Sequence, residues 1–310
     1  QVMASGMGAT AAALLALLRP GDHLLASSWL PGGTRRFLVE ELGGRGVDVV
    51  LVDPLESRGW RKRLRKQTRA IFVESPSSGS GRVLDLRPIS YLTHESGLAL
   101  VVDATRGSPA VVRPLEHGAD VVLHSSLRHL AGHADLAGGV VVGTAPYIEE
   151  VREKMLRWGQ APDPEVAWLL QRGLATLELR LARQAETAGR IATWASERRD
   201  VRRVHWPGLA DHPDHEIALA MLVRHLPTVG FELTGGTRTA ERMLKRLRLI
   251  RSAPALGGVE TTASEPRAVT HAHLDAQERG IIGIPDGLVQ VACGLEDPDD
   301  LVADLEQALR

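Results

Sequence analysis

His124-Ser125-Ser126-Leu127-Arg128-His129-Leu130-Ala131-Gly132-His133-Ala134-Asp135 is the stretch on which the fold of this 310-residue chain turns. It follows the apolar run Ala119-Asp120-Val121-Val122-Leu123 and precedes Gly138-Gly139-Val140-Val141-Val142. Two short β-rich runs flanking a polar loop place the loop at a strand end. Upstream, helical and strand patterns alternate at short intervals. Ser5 caps an Ala/Leu-rich helix to Leu18, and Pro20-Gly21-Asp22 turns into a strand over His23 to Ser27. Helices are expected at Thr34 to Leu42, Trp60 to Gln67 and Leu86 to Ser96. Strands are expected at Val47 to Val52, Arg69 to Glu74, Leu98 to Asp103, Val121 to Ser125 and Gly139 to Val142. The pattern predicts an α/β fold with a mainly parallel sheet covered on both faces. Ligands in such sheets bind beyond the carboxyl ends of the strands, where Asp103 and Ser125 fall.

After Ala145 to Trp158, one long helix is expected from Glu165 to Arg198. The tail then reads as a smaller α+β unit: strands Val201 to Val204, Thr228 to Leu233 and Leu288 to Ala292, with helices near His215 to Met221, Arg238 to Leu249 and Pro298 to Leu309. The expected division is a large domain over 1–190 and a small one over 191–310.

Composition narrows the function classes. Thirty-seven basic residues stand against 38 acidic ones, a net charge of −1, which gives no reason to expect nucleic acid or an anionic membrane as partner. The longest apolar stretch, Ala9 to Leu18, is too short for a span, and no charged segment precedes it. The single Cys293 excludes an internal disulfide framework and fits a cytoplasmic protein with an inert core thiol. His124, His129 and His133 have a spacing that suggests metal, but a structural role is the expectation, with no metal site. The basic run Arg61 to Lys66 lacks aromatics and reads as a solvated face. Gly138-Gly139 reads as close backbone packing.

The His124–Asp135 stretch resembles the cofactor-lysine segment of the pyridoxal-phosphate-dependent Cys/Met-metabolism family, the trans-sulfuration enzymes such as cystathionine gamma-synthase and gamma-lyase. There it reads His-Ser-Ala-Thr-Lys-Tyr-Leu-Gly-Gly-His-Ser-Asp, and the lysine holds the cofactor as a Schiff base. The likeness continues in family order through Ser5-Gly6-Met7, Gly32-Gly33-Thr34, Glu74-Ser75-Pro76, Val102-Asp103-Ala104-Thr105, Thr176-Leu177-Glu178-Leu179-Arg180, Leu256-Gly257-Gly258-Val259-Glu260 and Gly294-Leu295-Glu296-Asp297. The resemblance implies the aspartate-aminotransferase-like (fold type I) large domain with a smaller C-terminal α+β domain.

It also implies site residues. Gly6 and Met7 match the phosphate-cradling turn, Ser125 a phosphate-contacting hydroxyl, Asp103 the partner of the pyridine nitrogen and Thr105 the hydroxyl beside the ring. Departures cluster in the pocket. Arg128 stands at the lysine position and Leu127 at a phosphate-binding threonine. Pro31 replaces an aromatic that stacks on the ring, Ser78 an asparagine, Ala255 a serine, and Gln290 the arginine that clamps the substrate carboxylate. A guanidinium stays protonated at any usable pH and cannot form the imine. Its charge is expected to pair with Asp103 or solvent, or to serve as an anion-binding group. The family's N-terminal arm has no counterpart in the sequence, being absent from the chain or excluded from it.

Three functions follow as expectations. The first is a degenerate, non-catalytic trans-sulfuration homologue, a homo-oligomer or the partner subunit of an active paralogue. The second is a C–S lyase or gamma-substitution enzyme using pyridoxal phosphate held non-covalently by Gly6, Met7, Ser125 and Asp103. The third is a binding module for another anionic small molecule.

Overall fold

The computed structural model describes residues 1–310 except Ser57, Ala255 and Leu256. The first sheet has seven strands: β1 (Val2–Met3), β2 (His23–Ser27), β3 (Asp48–Val52), β4 (Thr68–Glu74), β5 (Ala99–Asp103), β6 (Val121–Ser125) and β7 (Gly139–Val142). Their order is β1-β7-β6-β5-β4-β2-β3. Strands β3, β2, β4, β5 and β6 are parallel, while β7 and β1 join antiparallel at one edge. This half also carries α1 (Gly6–Leu17), α2 (Gly32–Arg36), α3 (Gly59–Lys62), α4 (Leu86–Glu95) and α5 (Ala145–Arg157).

Side chains alternate across each strand, and both faces of the sheet are buried. In β4, Ala70 and Phe72 join Leu14, Leu24 and Met155 in the core on the α1 and α5 side. Ile71 and Val73 join Leu25, Leu86 and Val102 on the opposite side. Each such large side chain contributes about 1.5–3 kcal/mol on burial, so a register slip in β4 would be heavily penalised.

Helices α6 (Pro164–Leu174) and α7 (Leu177–Ser196) lead to the second sheet. It comprises β8 (Val201–His205), β9 (Thr228–Leu233), β10 (Arg251–Ser252), β11 (Thr262–Ser264) and β12 (Leu288–Ala292), in the order β10-β11-β12-β9-β8. With it come α8 (His215–Met221), α9 (Gly236–Arg246), α10 (Ala276–Ile281) and α11 (Pro298–Leu309). Ile191 and Ala192 of α7, Met243 of α9 and Leu305 of α11 share one core with Phe231 and Val289 of this sheet.

Two expected helices are corrected. The basic run gives a single turn, α3, instead of a helix from Trp60 to Gln67. Its charges repeat at i,i+4 with one sign (Arg61/Arg65, Lys62/Lys66), which opposes helix propagation. The long helix expected over 165–198 is broken between α6 and α7. There the Thr176 hydroxyl donates to the Gly173 carbonyl and accepts from Arg180 Nε, competing with the helical ladder. The helix expected over 34–42 starts as α2 and continues as a π-helical segment, Phe37–Leu42. Strands β1, β10 and β11 and helix α10 are too short to register as periodic patterns. Among the described residues no helix is long and apolar enough to cross a membrane.

Candidate functional site

The carboxyl ends of β4, β5 and β6 and the start of α1 converge on a cavity of about 340 Å³. Glu74 ends β4, Asp103 ends β5 with Thr105 and Arg106 just beyond, and Ser125 ends β6 with Arg128 on the following loop. Ser5, Gly6, Met7 and Thr10 of the α1 region, Pro31, Gly33 and Thr34 around the start of α2, and Ser78, His124 and Thr270 complete most of the wall.

Local rules set the α1 end. Ser5 is extended, and its hydroxyl accepts from the Gly8 N–H at 2.9 Å, which starts the helix there. The N–H groups of Gly6 and Met7 lie in the first turn, where a helix offers no carbonyl partner and the macrodipole favours an anion. A Cβ on Gly6 would lie 2.8 Å from Ser125 Cβ, so glycine is what lets α1 abut β6. Gly139 is equally close-packed, since a Cβ there would run into the Ser5 carbonyl, and one on Gly138 would lie 2.5 Å from Ser126 Oγ. The expected packing role of the Gly138-Gly139 pair is what the structure shows. Short hydrogen bonds lock the strand ends together: Ser125 N–H donates to Thr105 Oγ1 at 2.8 Å, and Thr105 N–H donates to Asp103 Oδ1 at 2.9 Å.

The other end is ionic. Burial raises Asp103 above the usual carboxylate range, against its hydrogen bonds from Thr105 and the Arg106 charge. Glu74, which accepts from Ser78 N–H at 2.7 Å, is pushed up to about 8 by burial and by the neighbouring Asp103. Burial lowers the Arg128 guanidinium and takes His124 down to about 4. Burial, with Arg128 adding to it, lowers Arg106 to about 10, still cationic at neutral pH.

Gly6, Met7, Pro31, Ser78, Asp103, Thr105, Ser125 and Arg128 all line this one cavity. Gln290 on β12 lies in an adjoining cavity of about 20 Å³. Ala255 and Leu256 lie outside the described residues. Of the alternatives expected for Arg128, the pairing with Asp103 is not formed. Arg128 Nη1 donates instead to the Pro254 carbonyl at 3.3 Å, because the loop carries its guanidinium towards the second sheet. Gln290 spans two elements: its Oε1 accepts from Arg106 Nη1 at 3.2 Å and its Nε2 donates to the Gly79 carbonyl at 3.3 Å. Leu127 is exposed, and burial pushes the Cys293 thiol up. Among the described residues no three His, Cys, Asp or Glu side chains converge as metal ligands.

The loop bearing Arg128 is held from beneath by Arg180 of α7, which is 4% exposed. Its guanidinium donates to the carbonyls of His129 (2.9 Å), Leu130 (3.4 Å) and Gly173 (2.8 Å). Gly132, at φ +78°, leaves the space this guanidinium needs.

Sequence reasoning missed Arg106 and Glu74 as site residues. Glu74 was legible only as part of a strand-end motif. Arg106 carried a usable signal, a cation three residues past Asp103 in a segment otherwise built of small and apolar residues.

This α/β fold is that of the fold type I PLP-dependent trans-sulfuration enzymes, whose solved structures it matches at TM-scores of 0.94 to 0.96. The profile of the Cys/Met metabolism PLP-dependent enzyme family matches residues 1–310, and the chain belongs to that family. It is 37% identical over 310 residues to L-methionine gamma-lyase of Pseudomonas putida, covering 99% of this chain and 78% of that protein. It is 34% identical over 306 residues to cystathionine gamma-lyase of Bacillus subtilis, covering 98% and 80%. The crystal structure of cystathionine gamma synthase from Xanthomonas oryzae pv. oryzae, in complex with aminoacrylate and cysteine, superposes with a TM-score of 0.96 at 34% identity. It covers 99% of this chain and 80% of that one.

Proposed function

We propose that this chain is a trans-sulfuration-family homologue whose pocket holds pyridoxal phosphate without a covalent link and does not carry out lyase or gamma-substitution turnover. The observation that carries the reading is the set of amines. The sequence has four lysines, Lys62, Lys66, Lys154 and Lys245, and none lines the cavity. Arg128, at the position matching the family's lysine, cannot give up a proton to become a nucleophile or a base.

The remaining residues fit the cofactor. The N–H groups of Gly6 and Met7 and the Ser125 hydroxyl would receive its phosphate, in a cradle that a Cβ at position 6 would fill. Asp103, half-buried with no cation within ion-pair distance among the described residues, would accept from the pyridine N–H, while Thr105 holds its carboxylate in place. Bound there, the ring supplies an electron sink. Without an amine in reach, the base that the family's lysine supplies is missing from its position, and a lost general base alone lowers rates by about 10²–10⁴-fold.

The test is borohydride reduction of the protein loaded with pyridoxal phosphate, followed by intact-mass measurement and assays with methionine, cystathionine and O-acyl-homoserine. We expect cofactor absorbance that dialysis removes, no reduced adduct and no turnover. An adduct on any lysine, or robust turnover by the isolated chain, would overturn the reading. Self-association, or association with an active paralogue, is supported by an apolar cavity of about 330 Å³ open at the surface between Pro114, Leu115, Leu170 and Leu174.

A further inference from the structure

Arg106 is 7% exposed, yet both of its hydrogen bonds go to neutral side chains. Nη2 donates to Ser78 Oγ at 2.5 Å and Nη1 to Gln290 Oε1 at 3.2 Å. A guanidinium has five N–H donors, so three remain. Among the described residues no carboxylate oxygen lies within 4.0 Å of it, whereas Arg82, Arg267 and Arg279, also well covered, each have one. The buried Arg180 shows the other way to accommodate such a group, with three backbone carbonyls around it. Arg106 has neither arrangement. A buried charge with no counter-charge in contact is costly, and proteins keep one where something else supplies the opposite sign.

A second guanidinium faces the same place. Arg106 and Arg128 line both the large cavity and the small one of about 20 Å³, which Ser264, Thr270 and Gln290 help to close. Arg128 spends a single 3.3 Å bond on the Pro254 carbonyl. Two cations therefore flank the junction of the cavities. The nearest acids, Glu74 and Asp103, act on Arg106 through charge at longer range, while their hydrogen bonds go to Ser78 and Thr105.

We infer that Arg106 and Arg128 together form a binding site for the carboxylate of a small organic acid, with Ser78 and Gln290 orienting Arg106. The size of the junction favours a carboxylate, because about 20 Å³ admits one small group only, and the planar guanidinium fork matches two coplanar oxygens. The α1 N-terminus, on the opposite wall, is a separate anion-binding feature. The inference goes beyond the cofactor reading and does not depend on it.

The experiment uses the full chain without added pyridoxal phosphate and measures thermal shift and calorimetric affinity for butanoate, butanamide and chloride. We expect butanoate to bind and raise the melting temperature, and butanamide to do neither. Arg106→Gln weakens butanoate by about 10–100-fold, the loss typical of a charged hydrogen-bond pair. Arg106→Lys retains part of the affinity, keeping the charge but not the fork. Unliganded Arg106→Gln melts no lower than the parent, since an uncompensated charge is removed. Equal binding of amide and acid, a shift that chloride reproduces in full, or unchanged butanoate affinity in Arg106→Gln would overturn the inference. So would an Arg106→Gln protein that fails to fold, which would make the guanidinium structural. None of these readouts involves turnover or covalent attachment, so the outcome is separable from that of the proposed function.

Discussion

At the α1 end of the cavity, contacts are made by backbone and short side chains; at the Arg106 end, long polar side chains make them. Gly6, Ser125 and Thr105 are fixed by van der Waals limits and by hydrogen bonds of 2.8–2.9 Å between strand ends. Arg106, Arg128 and Gln290 reach into shared space from three separate elements. A glycine wedged against a strand has no substitute that leaves the helix in place. A long side chain can be exchanged for another that fills the same volume with different chemistry. That difference predicts that substitutions at the α1 end cost the fold more than substitutions at the Arg106 end.

The largest effect should come from Glu74. Its folded value of about 8 lies above its solution value of 4.5, so its contribution to stability is full below about pH 4.5 and is lost as pH rises through about 8. Glu74→Gln removes this dependence. Its stability relative to the parent should rise between pH 5 and pH 8 by on the order of a few kcal/mol, measured by urea unfolding at both pH values. A flat difference would mean that the ionic end is better compensated than its geometry indicates. Next, Asp103→Asn should weaken pyridoxal phosphate about 10–100-fold by absorbance titration, while Arg106→Gln shifts it by less than about threefold. The reverse ranking would break the contrast between the two ends. Gly6→Ala forces a contact of 2.8 Å and should cost about 1–3 kcal/mol of stability together with a loss of cofactor affinity. The smallest effect belongs to Arg128→Lys. With Pro31 and Gln290 unchanged, it should leave lyase turnover undetectable and melting within a degree or two of the parent. Robust activity in that single variant would mean that the rest of the pocket is intact.

Much of this was legible in the sequence because the governing signals are local. Short, mostly apolar runs set off by turn residues marked β2, β6, β7, β9 and β12 to the residue, and Ser5 marked the start of α1. Asp103 and Ser125 were legible as strand-end residues, and the cavity does form there. The break at Thr176 was not, because it rests on a side chain competing with the helix's own ladder through a partner at Arg180. Nor was the role of Arg106, because Gln290 and Ser78 are 184 and 28 residues away and meet it only once both sheets have formed. Of the partners expected for Arg128, Asp103 is the one it does not meet; the side chain turns towards Pro254, an outcome set by the course of the loop rather than by charge.

That course is dictated by Arg180, whose guanidinium clasps the peptide carbonyls on either side of Leu130. The scaffold thus bears the weight of the loop, and the side chain at 128 hangs from it as an interchangeable fitting. Natural drift, or a protein engineer, can swap what projects from that perch without redrawing the architecture beneath, so new reactivity could be installed there one residue at a time.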